Sequence, residues 1–215
     1  MMNHHRQLNY PIDPNYRKKI CRIGQHEVGH YIAARVLGFK TGSITLTMFD
    51  LSGGHHATAE IILCCSLKGS QEIDSYLERR AIVLYAGALA ESLNNGNIDN
   101  DYAIEAVKTG GAVRDADKVR ELVQLLRSIR HPDTTTKEEV QAELEKLEFD
   151  IWNKAAEIVM ADQEIIVGLG QRIAGDVKAT NQKVALSAQE LESLPVIRDR
   201  FGANALAKPS EVTNE

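Results

Sequence analysis

The sequence is poor in cysteine and has no long apolar run, and each shortage removes a class of protein. Its three cysteines, Cys21, Cys64 and Cys65, are an odd count that includes a vicinal pair. That is no disulfide framework, and it fits a reducing, cytoplasmic setting. Cys64 and Cys65 follow the apolar run Ile61-Ile62-Leu63, so they are expected as buried strand thiols rather than as soft metal ligands. No stretch approaches the ~20 apolar residues of a membrane-spanning helix. The polar segment from Met1 to Asn9 lacks the apolar core of a signal peptide. Charge is only mildly one-sided, towards acid. The net charge is −5, and the basic residues are scattered without interleaved aromatics, which argues against nucleic acid as the main partner. No Gly-x-x-x-x-Gly-Lys-Ser/Thr string occurs, so no nucleotide-binding P-loop is expected. Internal repeats, low-complexity tracts and coiled-coil seams are absent too. What remains is an ordinary globular composition of 215 residues, long enough for one sizeable core.

The apolar spacing predicts mostly helices. Asp13-Pro14 has the form of an N-cap followed by proline at the first helical position, and Gly38 marks a stop. Between them Ile20, Ile23, Val28, Tyr31, Ile32, Leu37 and the alanines supply an apolar stripe of helical periodicity. Gly29 interrupts this pattern at a cost of ~1 kcal/mol relative to alanine, which implies close approach of another backbone or of a substrate. Ser43–Met48 and Ala57–Cys65 read as strands, separated by a loop from Phe49 to His56 in which His55 and His56 are expected to be solvated. An extended strand of this kind can bind a peptide by adding it as a further strand. Helices follow over 72–93 (ended by Asn94-Asn95-Gly96), 99–108, 113–129, 137–160 and 162–176. Capping boxes stand at Thr135-Thr136-Lys137-Glu138-Glu139 and at Ser187-Ala188-Gln189-Glu190. The expected fold class is mainly α (α+β), a helical bundle with one small sheet or hairpin. The expected organisation is a flexible tail over 1–12, one domain over 13–200 and a second flexible tail over 201–215.

Residues 26–30 read His-Glu-Val-Gly-His. Histidines four apart lie on one face of a helix, so both imidazoles can reach one Zn²⁺ while Glu27 works on a water activated there. The reaction this proposes is hydrolysis of a peptide bond, with Glu27 as general base. The plain alternative is a helix that carries two histidines by coincidence. A catalytic zinc usually takes three protein ligands. The chain has no His-x-x-Gly-x-x-His extension, so the third must come from elsewhere, with acidic residues of the later helices as candidates.

Three segments in order carry a resemblance: His26-Glu27-Val28-Gly29-His30, then Tyr85-Ala86-Gly87-Ala88-Leu89-Ala90-Glu91, then Thr109-Gly110-Gly111-Ala112-Val113-Arg114-Asp115. Together they resemble the peptidase domain of the FtsH-type ATP-dependent zinc metalloproteases, over roughly residues 15–200. The resemblance implies a zincin-like fold and one zinc per chain, held by His26, His30 and Asp115. Asp117 is a neighbouring alternative, because the segment here is one residue longer between the glycines and the aspartate. Glu91 would either orient a ligand histidine or complete the coordination itself. The ATPase module and membrane anchor of that family have no counterpart in these residues. The expected activity is therefore that of a stand-alone peptidase acting on flexible proteins or peptides, or one served by an ATPase or unfoldase on another chain. The family's rings imply a homo-oligomer. A second reading is a non-catalytic helical interaction module that retains the zinc site as a structural remnant.

Overall fold

The computed structural model describes residues 9–202 apart from Leu51 and Gly53. Asp13 accepts a hydrogen bond from the Asn15 N–H at 2.8 Å and opens a 3-10 turn, Pro14–Tyr16, that leads into helix α1, Arg17–Val36. Gly38, at φ +79°, turns the chain out of it. Every residue from Ile23 to Ala34 is buried, so α1 is the central helix of the molecule and carries polar Gln25, His26, Glu27 and His30 into the interior.

Strands β1 (Lys40–Met48) and β2 (His55–Ile62) form an antiparallel hairpin. Helix α2 (Ser70–Glu91) follows, then a two-residue hairpin of β3 (Leu93–Asn94) and β4 (Asn97–Ile98). Helices α3 (Asn100–Lys108), α4 (Val113–Arg130), α5 (Lys137–Ala161) and α6 (Gln163–Asp176) complete the helical body. Strand β5 (Lys183–Leu186) then returns to the sheet before α7 (Ala188–Ser193) and α8 (Pro195–Phe201). The three-stranded sheet has the order β2-β1-β5, antiparallel throughout, which leaves β2 at an edge. Along β1, Ile44, Leu46 and Met48 point into the core and the intervening threonines do not, as period-two alternation requires. The molecule is thus mainly helical with a small antiparallel sheet, and among the described residues no helix is long and apolar enough to cross a membrane.

Glycine sets how closely α1 meets its neighbours. A Cβ on Gly29 would fall 2.4 Å from Ala90 Cβ and 2.6 Å from the Ala86 carbonyl oxygen, so the backbones of α1 and α2 can touch only without it. The close approach that the sequence implies at Gly29 is to another backbone. Gly24 serves the same purpose against α6, where its Cβ would lie 2.9 Å from the Gly170 carbonyl oxygen.

Three expectations need correction. Cys64 and Cys65 are exposed and lie beyond the end of β2, so they are not buried strand thiols. The segment after Ile62 leaves the sheet before its apolar run is complete. His55 and His56 belong to β2 rather than to the preceding loop, because each pairs with β1 opposite Met48 and Thr47. Within the expected N-terminal tail, residues 10–12 are tied down. Tyr10 N–H donates to Thr180 Oγ1 at 2.9 Å, Ile12 N–H donates to the Lys178 carbonyl at 3.0 Å, and the Ile12 side chain is buried. Residues 1–8 and 203–215 of the two expected tails lie outside the described residues.

Candidate metal centre

One helical turn separates His26 from His30, and their rings meet edge to face with the two Nε2 atoms 3.0 Å apart. The third corner comes from the first turn of α4, where Asp115 Oδ2 lies 3.3 Å from His26 Nε2 and 3.2 Å from His30 Nε2. The other nitrogen of each ring is occupied from behind. His30 Nδ1–H donates to the Val83 carbonyl at 2.8 Å, and His26 Nδ1–H donates to Glu91 Oε2 at 3.1 Å. Glu91 is itself held, since its Oε1 accepts from the Tyr102 hydroxyl at 2.9 Å. Bonds of this kind fix the ring planes and turn both Nε2 atoms towards Asp115.

Burial pulls the pKa of His26 down, but its bonds to Asp115 and Glu91 outweigh that and push it up to about 10. Burial pushes Asp115 up, and the two imidazoles override it, holding the carboxyl well below the usual carboxylate range. Glu91 is also lowered, because His26 offsets the cost of its burial. The acids around the imidazoles therefore favour positive charge at this cluster.

His26, His30 and Asp115 could hold a metal ion. Their donor atoms are 3.0–3.3 Å apart. A tetrahedral ion with ~2.0–2.1 Å bonds spaces its donors by ~3.3–3.4 Å, and neighbouring donors of an octahedral ion sit at ~3.0 Å, so the triangle suits a first-row dication of either geometry. A second observation concerns space. A Cβ on Gly87 of α2 would fall 2.4 Å from His30 Cε1, 2.5 Å from His30 Nε2 and 2.9 Å from His26 Nε2. Gly87 is thus a seat cut out of α2 against the donor atoms. Among the described residues three donors converge, not four.

Glu27 is buried beside the triangle, and its Oε2 accepts the Ala59 N–H of β2 at 2.6 Å. Its Oε1 takes no hydrogen bond among the described residues. Two clefts share this residue, and both are lined by His26, Glu27, Ala57, Asp115 and Lys118. The larger, about 470 Å³, adds Lys19, His55, His56, Tyr102 and Arg114; the smaller, about 300 Å³, adds His30, Ala59, Ile61, Arg80 and Leu84. Lys118 Nζ donates to Asp115 Oδ1 at 3.2 Å and steadies the carboxylate from the solvent side.

Of the residues singled out from the sequence, His26, Glu27, His30, Glu91 and Asp115 come together. Asp117 does not: it is exposed on α4 and pairs with Arg120. Gly87, Val83, Tyr102 and Arg80 escape a reading of the sequence as site residues. Gly87 alone carried a signal, a glycine in an Ala-Gly-Ala run inside an expected helix. No protein-family model matches the sequence, and no curated protein matches it.

Proposed function

We propose that the protein is a zinc metallopeptidase that hydrolyses peptide bonds in proteins or peptides, with His26, His30 and Asp115 as ligands and Glu27 as general base. Two imidazoles and a carboxylate on their own suit several metals. Glu27 favours zinc hydrolysis among these: it follows the first ligand, stands beside the triangle, and has one oxygen anchored on Ala59 and the other uncommitted. That pairing of a three-donor triangle with a half-free carboxylate is the observation that carries the reading. Zinc supplies a Lewis acid that makes water more acidic and polarises a carbonyl.

The chain's own residues do the rest. Glu27 Oε1 accepts the proton released as water adds to the scissile carbonyl, then returns it to the leaving amine nitrogen. Water is consumed, and one carboxyl and one amine are produced. Glu91 keeps His26 in register through Nδ1 while Tyr102 keeps Glu91 in place. This use of Glu91 supports the enzyme over the non-catalytic module, because a carboxylate closing the metal site would have to leave both partners. The edge position of β2 supports an extended substrate lying along the two clefts. The order of the three motifs supports an FtsH-like, zincin-type peptidase. A cytoplasmic location, a homo-oligomer and a separate ATPase partner belong to the same proposal.

The test is metal analysis followed by cleavage of an unstructured protein. About one zinc per chain is expected, and Glu27→Gln should keep the metal and lose cleavage. Absence of metal uptake, or unchanged cleavage by a clean Glu27→Gln preparation, would refute the assignment.

A further inference from the structure

Among the described residues, one buried side-chain nitrogen or oxygen has no hydrogen-bond partner, and it is Nη1 of Arg80. Buried polar groups are nearly always paired, and a cation left unpaired is the costly exception. Arg80, on α2, is among the residues that line the smaller cleft, together with His30 and Asp115. Burial lowers its pKa while the nearby Asp115 charge opposes that fall, but a guanidinium remains charged at neutral pH. Beside His26, Glu27 and Lys118, the cleft is completed by Ala57, Thr58, Ala59 and Ile61 of β2 and Leu84 of α2, four of these five being apolar.

We propose that this cleft is a carboxylate-recognising subsite, with Arg80 as its selective group, that takes a glutamate side chain next to the cleaved bond. The apolar walls suit the two methylenes, and the guanidinium end suits the carboxylate. Of the cleft's own acids, Asp115 is engaged by the two imidazoles and by Lys118, and Glu27 holds the Ala59 N–H through Oε2, so neither is hydrogen-bonded to Arg80. A dication held by the triangle would draw further on the Asp115 charge and leave Arg80 with less counter-charge. Lys118 at the rim adds a second cation of the same sign. In taking a peptide as the occupant, the subsite rests on the peptidase reading above.

The experiment compares peptides that differ only in Glu against Gln at successive positions, together with one that ends there in a free carboxyl. Fluorescence anisotropy measures their binding to the zinc-loaded full chain and to Arg80→Gln and Arg80→Lys. A charged hydrogen bond in a buried site corresponds to roughly tenfold or more. The Glu peptide should therefore bind wild type at least ~10-fold more tightly than the Gln peptide, Arg80→Gln should abolish the difference, and Arg80→Lys should retain part of it. If the free carboxyl is preferred instead and Arg80→Gln abolishes that preference, the subsite stands with a chain terminus as its source. Equal binding of all peptides by wild type overturns the subsite, as does a preference that survives in Arg80→Gln. The wild-type comparison requires no variant, so a misfolded variant does not protect the idea. Discrimination in binding with no cleavage would defeat the peptidase reading and leave the subsite intact. Cleavage of every peptide alike would do the reverse.

Discussion

Gly87→Ala separates metal binding from folding more cleanly than removal of a ligand does. The new methyl would sit 2.4 Å from His30 Cε1 and 2.5 Å from His30 Nε2. Carbon contacts are comfortable at ~3.5–4.0 Å, so the overlap is about 1 Å. His30 has little room to retreat, because its ring is buried and its Nδ1 is bonded to Val83. Changing a group that merely supports a ligand weakens metal binding ~10–100-fold. Here a donor atom itself is displaced, so ~100-fold is a lower estimate, or ~2.7 kcal/mol. Folding without metal should suffer less: overpacking costs ~1–3 kcal/mol, and alanine regains ~1 kcal/mol of helix propensity. Competition against a chromophoric chelator gives the affinity, and thermal melts with and without zinc give the two stabilities. Gly29→Ala is the control, because its Cβ would meet Ala90 and the Ala86 carbonyl rather than the imidazoles, so its first effect should be on stability. Wild-type metal affinity in a folded Gly87→Ala protein would refute the idea that this glycine seats the ion.

Two further predictions concern stability alone. Gly168 lies inside α6, where an added Cβ meets nothing within 4 Å, so Gly168→Ala should stabilise the protein by up to ~1 kcal/mol, seen as a higher Tm; a lower Tm would contradict it. Arg130 forms a two-pronged pair with Asp74 at 2.6 and 2.7 Å and also binds Glu78, which Lys154 grips as well. Arg130 lowers the pKa of Asp74, and Lys154 and Arg130 together lower that of Glu78 against its burial. Carboxylates lowered in the folded state stabilise it above their ordinary pKa of ~4, and that stability disappears as pH falls through the lowered values. Arg130→Ala should therefore cost ~1 kcal/mol at neutral pH and move the acid-unfolding midpoint to higher pH, followed by circular dichroism. An unmoved or lower midpoint would exclude the network as a source of acid resistance.

Local signals carried the helices well. Asp13-Pro14 and Gly38 bracket the entry and exit of the first helix, and Ser187 with Glu190 forms the full reciprocal capping box expected of it. Thr136 caps α5 through the Glu139 N–H. What depends on distant parts of the chain was not legible. β5 pairs with β1 across more than 130 residues of intervening chain, and its four residues give too short an alternation to stand out. The Asn94–Asn97 region reads as a helix stop but is a tight hairpin, with Asn95 and Gly96 both at positive φ, as such a turn requires. Cys64 and Cys65 misled because composition cannot say where a strand leaves its sheet. At the site, the histidine spacing and Glu27 were readable because they are local to one helix. The Val83 carbonyl and Arg80 were not, because their part in it comes from how α2 lies across α1.

The bond between Glu27 and Ala59 also bears on solubility. β2 is one of the two outer strands of its sheet, and an outer strand offers its unpaired amides to any other extended chain, including another molecule of this protein. Glu27 occupies the amide of Ala59, near the middle of that rim. A variant that lost this carboxylate would therefore expose a sticky border, and its tendency to clump should rise with concentration.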